Sequence, residues 1–247
     1  MRIGILGDIH SNLEALSTVV RAMRDEGIDH WVQVGDVVGY GPDPRECLDM
    51  VRELKCMVCM GNHDAAVVNH LDTDYFNQYA RAAIDWTRHQ LRADDFEYLR
   101  GLPLVVEHRE YTVVHGTLHM PELFGYVLTQ VEAKESIRQQ RTLVSFVGHS
   151  HVPAIYIERP EMRPNELEML YQSEMFTSTK GADRILVNVG SVGQPRDEDP
   201  RAAYAIYDTE RQEIAIRRVP YDIRATQAKI RQQGLPDVLA DRLALGV

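Results

Sequence analysis

The chain has 247 residues, of which 44% are hydrophobic and 26% are charged, a composition typical of globular proteins with a substantial core. Its formal net charge of −10 argues against broad electrostatic binding to nucleic acid or to an anionic membrane surface. No apolar run is long enough to span a bilayer and the first residues lack a signal-peptide pattern, so we expect a cytoplasmic protein.

Apolar runs alternate with helical patterns in the first half of the chain. The predicted elements are a strand at 2–6, a helix at 11–27, a strand at 30–34, a helix at 43–54, a strand at 56–60 and a mostly helical segment at 64–100. Ser11 and Glu14 form a capping-box pattern, and Asp43 is the predicted N-cap of the second helix.

Strands dominate the second half. They are predicted at 104–108, 111–115, 143–147, 154–158, 184–189, 202–208 and 213–219, with one helix near 129–141. The polar segment 160–182 is interpreted as a protruding hairpin or arm, and polar helices at 221–243 finish the chain. With no repeat or clear linker, residues 1–247 are predicted to form one domain of two packed sheets with helices outside.

Three cysteines, Cys47, Cys56 and Cys59, are too few for a disulfide framework. The Cys-x-x-Cys spacing at 56–59 invites a metal or redox interpretation, but the chain has no second such pair. Buried structural thiols are the favoured interpretation.

Five predicted strands end in the same way, with glycine beside polar residues. These blocks are Gly7-Asp8-Ile9-His10, Gly35-Asp36, Gly61-Asn62-His63-Asp64, His115-Gly116 and Gly148-His149-Ser150-His151. Ligands of α/β sheets bind outside the carboxyl ends of strands, and glycine lets the backbone approach a bound group. We therefore expect one cleft to gather Asp8, His10, Asp36, Asn62, His63, His115, His149 and His151.

Carboxylate, amide and imidazole groups together form a mixed oxygen and nitrogen ligand set. Such a set suits Mn²⁺, Fe²⁺ or Zn²⁺ better than Ca²⁺. Eight residues are too many for one ion, so two divalent ions that share a bridging carboxylate are predicted. His149 and His151 alternate along extended backbone and can serve neighbouring positions in such a centre.

The ordered blocks resemble the calcineurin-like metallophosphoesterase superfamily, whose pattern is D-x-H, G-D, G-N-H-[DE], a lone His and G-H-x-H. The resemblance covers residues 1 to about 210 and implies a four-layer α/β/β/α sandwich of two mixed sheets flanked by helices. It also implies that residues 188–195 loop back near the site. By analogy, one metal takes Asp8, His10, Asp36 and His151. The other takes Asp36, Asn62, His115 and His149, with Asp36 as the bridge.

The implied reaction is in-line attack of a metal-activated water on phosphorus. Asn62 and His63 would also contact the substrate, and His63 would protonate the leaving oxygen or bind a phosphoryl oxygen, with Asp64 as the candidate to orient it. Arg196 is a candidate phosphate contact, although a solvated loop arginine is as good an interpretation. Asn12 is a weaker substrate candidate, because assistance at the helix start is favoured.

One departure narrows the family. Residues 35–41 lack the second aspartate and the arginine of the G-D-x-V-D-R-G motif found in phosphoprotein phosphatases, so the chain is closer to the small prokaryotic phosphodiesterase branch. We expect a phosphodiesterase with possible phosphomonoesterase activity. The alternatives are a dinucleoside polyphosphate hydrolase and a non-catalytic protein-binding scaffold. Substrate specificity is expected from residues 39–44, 117–127 and 190–197, whereas the sequence leaves the oligomeric state open.

Overall fold

The structure, a computed structural model, describes the backbone of residues 1–247 and every side chain except that of residue 75. The helices are α1 (Leu13–Asp25), α2 (Pro44–Glu53), α3 (Asn62–Val67), α4 (Gln78–Gln90), α5 (Ala93–Arg100), α6 (Gln130–Gln139), α7 (Ile223–Gln232) and α8 (Asp237–Asp241). Within the described residues, no helix combines the length and the apolar character needed to cross a membrane.

Twelve strands form two six-stranded sheets. They are β1 (Arg2–Leu6), β2 (His30–Gln33), β3 (Met57–Val58), β4 (Val105–Glu107), β5 (Tyr111–Val114), β6 (Val144–Val147), β7 (Ala154–Glu158), β8 (Glu168–Leu170), β9 (Met175–Ser178), β10 (Arg184–Asn188), β11 (Ala202–Asp208) and β12 (Glu213–Val219). The first sheet has the order β3-β2-β1-β11-β12-β9, and the second has the order β4-β5-β6-β10-β7-β8.

The alternation of side chains along each strand builds the layers. In β1, Ile3 and Ile5 face the core between the sheets, whereas Leu6 joins the cluster under the helices. In β10, Val187 faces the same inter-sheet core and Leu186 packs with Ile137 of α6 on the far side. Helices therefore cover both outer faces, and the predicted four-layer α/β/β/α sandwich is confirmed.

Strand direction brings the predicted ligand loops to one edge. The strands β1, β2 and β3 run parallel in the first sheet, and β5, β6 and β10 run parallel in the second. A parallel bridge between Asp8 and Ser191 joins the loops that follow β1 and β10, so the loop at 188–195 lies beside the first motif as expected. The carboxyl ends of both sheets thus face a common cleft.

The segment 160–182 is not a hairpin, which corrects the sequence-based interpretation. Its strand β8 pairs with β7 at the edge of the second sheet, whereas β9 pairs with β12 at the edge of the first. The segment crosses from one sheet to the other because both edges offer unpaired backbone groups that a short strand satisfies.

The start of α1 also differs from the expectation. Ser11 lies in the left-handed region with φ of 54°, so it does not adopt the extended backbone of an N-cap. The N-cap is Asn12, whose side chain accepts a hydrogen bond from the backbone N–H of Ala15. Asp43 does occupy the N-cap position of α2, but its carboxylate accepts hydrogen bonds from Lys229 of α7 instead of capping the helix.

The thiols of the chain are packed in the protein. Cys47 and Cys59 are buried and Cys56 is half-buried. Burial raises the pKa of the Cys56 thiol to about 12, so it is protonated at neutral pH.

The inter-sheet core predicts a stability contrast between two phenylalanines. Phe146 is fully buried between the rings of Tyr111 and Tyr207, with centroids 6.2 and 6.1 Å away, whereas Phe176 on β9 is 61% exposed. We expect Phe146→Ala to lower the free energy of unfolding by about 3–5 kcal/mol. Phe176→Ala should change it by about 0.5 kcal/mol or less, and urea unfolding measures both. Equal losses in the two variants would contradict this account of the core.

Candidate metal centre

The predicted ligands meet at one place. Asp8 and His10 follow β1, Asp36 follows β2, His115 follows β5, and the motif at 148–151 follows β6. All are at most 7% exposed, and Asn62, the first residue of α3, is 9% exposed. The structure therefore brings together Asp8, His10, Asp36, Asn62, His115, His149 and His151.

One group of ligand atoms consists of Asp8, His10 and His151, whose atoms lie within 4.8 Å of one another. The Nε2 atoms of His10 and His151 are 3.0 Å apart. Nε2 of His151 is 3.5 Å from Oδ1 of Asp8, and Nε2 of His10 is 3.6 Å from Oδ2 of Asp36. These atoms surround a space suited to one cation.

A second group consists of Asp36, His115 and His149. Nε2 of His115 lies 3.3 Å from Oδ2 of Asp36 and 3.1 Å from Nδ1 of His149. The amide oxygen of Asn62 is 2.9 Å from Nε2 of His115. Asp36 belongs to this second group, and its Oδ2 also lies 3.6 Å from Nε2 of His10, so its carboxylate lies between the two groups.

Backbone carbonyls determine which nitrogen of three imidazoles is free. Nδ1 of His10 faces the carbonyl of Val38 at 3.2 Å, and Nδ1 of His115 faces that of Val34 at 2.9 Å. Nδ1 of His151 faces the carbonyl of residue 194 at 2.6 Å. A carbonyl only accepts, so each neutral ring places its proton on Nδ1 and a lone pair on Nε2.

These lone pairs point at other acceptors. The Nε2 atoms of His10 and His151 face each other, and Nε2 of His115 faces the oxygens of Asn62 and Asp36. Such an arrangement is repulsive unless positive charge lies among the atoms. The donor set therefore fits bound cations, and the carbonyls act as the outer partners that orient metal-binding histidines.

The pKa values of the buried groups, in the protein without metal ions, also indicate that this site favours positive charge. Burial by itself would lower the pKa of His115, but the carboxylates of Asp36 and Asp8 and the carbonyl of Val34 together outweigh burial and raise it to about 9. Burial raises the pKa of Asp8 to about 7. Burial would also raise the pKa of Asp36, but the charges of His115 and His63 hold it well below its usual range. Positive charge at the centre thus keeps the carboxylate of Asp36 ionised.

Four of the candidate ligands have unusual backbone conformations. His10, Asp36, His149 and His151 have φ values of 47°, 58°, 65° and 63°, in the left-handed region that side-chain-bearing residues rarely adopt. Each such residue costs about 1–3 kcal/mol, and such costs concentrate at functional sites. The strain directs these side chains inward from tight turns.

Asp64, which was expected to orient His63, supports the loop of Asp36 in the structure. Its carboxylate accepts hydrogen bonds from the backbone N–H groups of Asp36, Val38 and Gly61 at 2.7, 3.2 and 3.1 Å. Burial raises the pKa of Asp64 to about 6, with Asp36 as the next cause. Asp64 therefore fixes the direction of the Asp36 carboxylate.

His63 lies beside the two ligand groups. Its backbone N–H donates to Oδ1 of Asp36 at 2.8 Å, and its ring packs against His10, Tyr40 and Phe76. Nδ1 is buried and has no hydrogen-bond partner among the side chains that the structure describes. Burial lowers the pKa of His63 to about 4. The ring lines the cavity, and one of its nitrogens forms a candidate metal-binding group with His10 and Asp36.

Asn12 assists the start of α1, as the favoured interpretation of the sequence had it. Its side-chain oxygen accepts from Ala15 and Thr226, and its nitrogen donates to the carbonyl of Gly193. The residue is 1% exposed, and both side-chain polar atoms are occupied within the protein. Asn12 ties α1 to α7 and to the loop after β10.

A cavity of about 440 Å³ opens from the candidate centre. The three loops expected to set specificity all reach it, through Tyr40, Tyr126 and Arg196 among others. The guanidinium of Arg196 donates to Oε1 of Gln194 at 2.8 Å, which holds it at the cavity wall. Sequence reasoning missed the wall formed by Leu71, Phe76, Asn77 and Ala80. These residues belong to the segment around the start of α4, whose helical spacing carries no sign of a ligand site.

Comparisons with known proteins agree with this geometry. The family profile described as the calcineurin-like phosphoesterase superfamily domain matches residues 1–212. The chain is 36% identical to an uncharacterized protein of Methanocaldococcus jannaschii over 99% of this chain and 98% of that one. It is 40% identical to a crystallised metallophosphoesterase from Sphaerobacter thermophilus, with a TM-score of 0.87 and all of both chains covered.

A partial likeness extends to the symmetrical bis(5′-nucleosyl)-tetraphosphatase of Vibrio cholerae. That match is 30% identical and covers 45% of this chain and 43% of the other protein. The chain thus spans less than half of that relative.

The chain belongs to the calcineurin-like phosphoesterase superfamily, which confirms the family predicted from the five motifs. It is a metallophosphoesterase, a hydrolase of phosphoric esters.

The close approach of Gly61 to Asp36 predicts a sharp effect on metal binding. A Cβ at Gly61 would clash with the carboxylate and the backbone nitrogen of Asp36, so Gly61→Ala should displace that carboxylate. We expect manganese affinity to fall by about 10–100-fold, as for other losses of outer support. Gly101→Ala is the matched control, because a Cβ there would meet its nearest neighbours at 3.5 Å. Equilibrium dialysis with metal analysis checks this, and equal affinity in both variants would be evidence against it.

Proposed function

We propose that the protein is a dinuclear-metal-dependent phosphodiesterase that also accepts phosphomonoesters. The observation that carries this proposal is the position of Asp36 between the two ligand groups, 3.6 Å from Nε2 of His10 and 3.3 Å from Nε2 of His115, with imidazole lone pairs aimed inward by backbone carbonyls. Two adjoining groups with a carboxylate between them correspond to a two-ion centre better than to a single ion.

The residues divide into two ligand sets. The first ion is held by Asp8, His10, Asp36 and His151, and the second by Asp36, Asn62, His115 and His149. Mixed oxygen and nitrogen ligands suit Mn²⁺, Fe²⁺ or Zn²⁺. When bound, two such ions supply positive charge for the phosphoryl oxygens and activate the water that attacks phosphorus.

The side chains around the centre bind and orient the ester. The ring of His63 lines the cavity and donates a ring N–H to the leaving oxygen or to a phosphoryl oxygen. Arg196, on the loop after β10, offers a guanidinium for a second phosphoryl oxygen. Two divalent ions and two aspartates give a formal local charge of about +2, which attracts a phosphate ester although the whole chain is acidic.

Dinucleoside polyphosphate hydrolysis is the second candidate. It is supported by the partial likeness to the Vibrio cholerae tetraphosphatase and by a cavity larger than one phosphate group needs. A non-catalytic scaffold is less well supported, because the ligand set is complete and its outer hydrogen-bond partners are present.

We also propose that residues 1–247 act as one domain. The C-terminal helices α7 and α8 share a buried cluster with Tyr40, which lines the cavity, and Lys229 of α7 forms an ion pair with Glu14 at 2.6 Å. These contacts join the end of the chain to the loops of the first two motifs.

Metal removal and a substrate panel test the proposed function. We expect chelator-treated protein to be inactive and to regain activity as manganese approaches two equivalents per chain. Bis-p-nitrophenyl phosphate should then be hydrolysed faster than p-nitrophenyl phosphate. Faster turnover of a dinucleoside tetraphosphate would favour the second candidate. If the protein hydrolysed none of these substrates with manganese, iron or zinc, the non-catalytic scaffold would be the remaining candidate.

His63 should affect turnover much more than metal content. His63→Ala removes the ring N–H but none of the proposed ligands, so kcat should fall by about 10²–10⁴-fold with both metals retained. The control is His70→Ala, because His70 is exposed and lies outside the cavity. Metal analysis alongside steady-state kinetics separates the roles. If the His63 variant lost a metal ion, the ring would be a ligand and the assignment would be wrong.

A further inference from the structure

Beyond the phosphate-binding end, the cavity has a second wall of a different character. Aromatic and aliphatic side chains form it, and they are Tyr40, Leu71, Phe76, Leu123, Phe124 and Tyr126. Cavities that bind small molecules measure about 300–1,000 Å³, so a volume of about 440 Å³ fits a compact organic ligand. A phosphate group occupies only the end next to the metal ligands, which leaves the apolar wall for the rest of the substrate.

Tyr126 offers an open aromatic face on this wall. Its ring stacks on that of His149, with centroids 3.9 Å apart and an interplanar angle of 19°. One face is thus covered by a candidate metal ligand. The residue is 47% exposed although it lines the cavity, so the other side remains available to a ligand.

The loop that carries Tyr126 is held in place before any ligand binds. Phe124 is 7% exposed, has a left-handed φ of 49° and packs its ring 6.0 Å from that of His115. The two ends of the loop approach closely at Gly116 and Gly125. A Cβ at Gly116 would clash with the carbonyl oxygen of Gly125, and a Cβ at Gly125 would press on the side chain of Thr117. The carboxylate of Glu132 accepts from the backbone N–H groups of residues 128 and 129 at 2.7 and 2.8 Å. An aromatic side chain on such a loop stacks on a ligand with little loss of entropy.

Phe76 and Leu71 add a further apolar part of the cavity lining. Phe76 packs its ring edge against His63, with centroids 5.0 Å apart, and Leu71 lies beside it in the lining. Asn77 and Glu122 add polar groups to the lining, where they can bond to the edge of a ring or to hydroxyl groups. Apolar faces with a few polar groups at the edge suit a flat heteroaromatic ring.

We propose that Tyr126 determines specificity, and that the enzyme prefers phosphate esters whose non-leaving alcohol carries a planar ring stacked on Tyr126. This inference rests on the proposed phosphodiesterase function. It adds the chemical class of the substrate and a residue that selects it.

The test compares substrates with the same leaving group. Thymidine 5′-(p-nitrophenyl phosphate), methyl p-nitrophenyl phosphate and hexyl p-nitrophenyl phosphate each release p-nitrophenolate after attack of water on phosphorus, so only the non-leaving alcohol differs. With manganese-loaded protein, we expect kcat/KM for the thymidine ester to exceed that for the methyl ester by about 5- to 100-fold, the usual effect of one stacking interaction with a base. The hexyl ester should gain much less.

Substitutions then assign the preference to Tyr126. We expect Tyr126→Ala to abolish most of the thymidine-to-methyl ratio, chiefly through KM, and Tyr126→Phe to preserve it because the ring remains. Tyr171→Ala serves as the control, since Tyr171 is 60% exposed and lies outside the cavity lining. Its ratio should equal that of the unaltered protein.

Each outcome has a definite meaning. Hydrolysis of the methyl ester without a preference for the thymidine ester would overturn the inference but leave the proposed function intact. Equal losses on both esters in Tyr126→Ala, with reduced manganese content, would show that the ring only supports His149 and would also overturn it. A hexyl ester as good as the thymidine ester would replace ring stacking with general apolar contact. No hydrolysis of any ester would reject the proposed function itself.

Discussion

Three backbone carbonyls impose the constraint on which the site depends. The carbonyls of Val34, Val38 and residue 194 hold the Nδ1 atoms of three imidazoles, so the remaining nitrogens face inward as acceptors. Two of these carbonyls come from the loop after β2, and the third comes from the loop after β10. The sandwich therefore does more than gather the ligands. It also fixes the protons of three imidazoles on Nδ1. The Nε2 lone pairs that remain favour positive charge between them.

The free-energy cost of this arrangement is backbone strain in the loops that hold the candidate ligands. Asp36 combines a left-handed backbone with a side chain that lies between two ligand groups, and Asp64 holds its loop through three backbone N–H groups. A buried carboxylate that accepts only from backbone groups contributes no chemistry of its own, yet it fixes the geometry. Strain at the centre is thus balanced by hydrogen bonds in the neighbouring turn and by packing in the two cores.

The sequence was informative where local pattern and chemistry coincide. Glycine beside a polar residue after an apolar strand marked the candidate ligands that the structure brings together, and the period-two pattern of 2–6 marked β1. The strands β8 and β9 have three and four residues, too few for periodicity to reveal that they join different sheets. The roles of Asn12 and Asp64 depend on bonds to distant backbone groups, which no local pattern encodes. The wall around Phe76 likewise arises only when α4 packs beside the cleft.

The position of β1 has a consequence for how the protein is made. This strand lies between β2 and β11, and Asp8 is bridged to Ser191, so its neighbours include segments nearly two hundred residues later. At about 5–20 residues per second, translation takes roughly 10–40 s to supply them. On the ribosome, the earliest ligands therefore wait for the latest strands. A cleft that contains all the candidate ligands can form only after most of the chain has been synthesised.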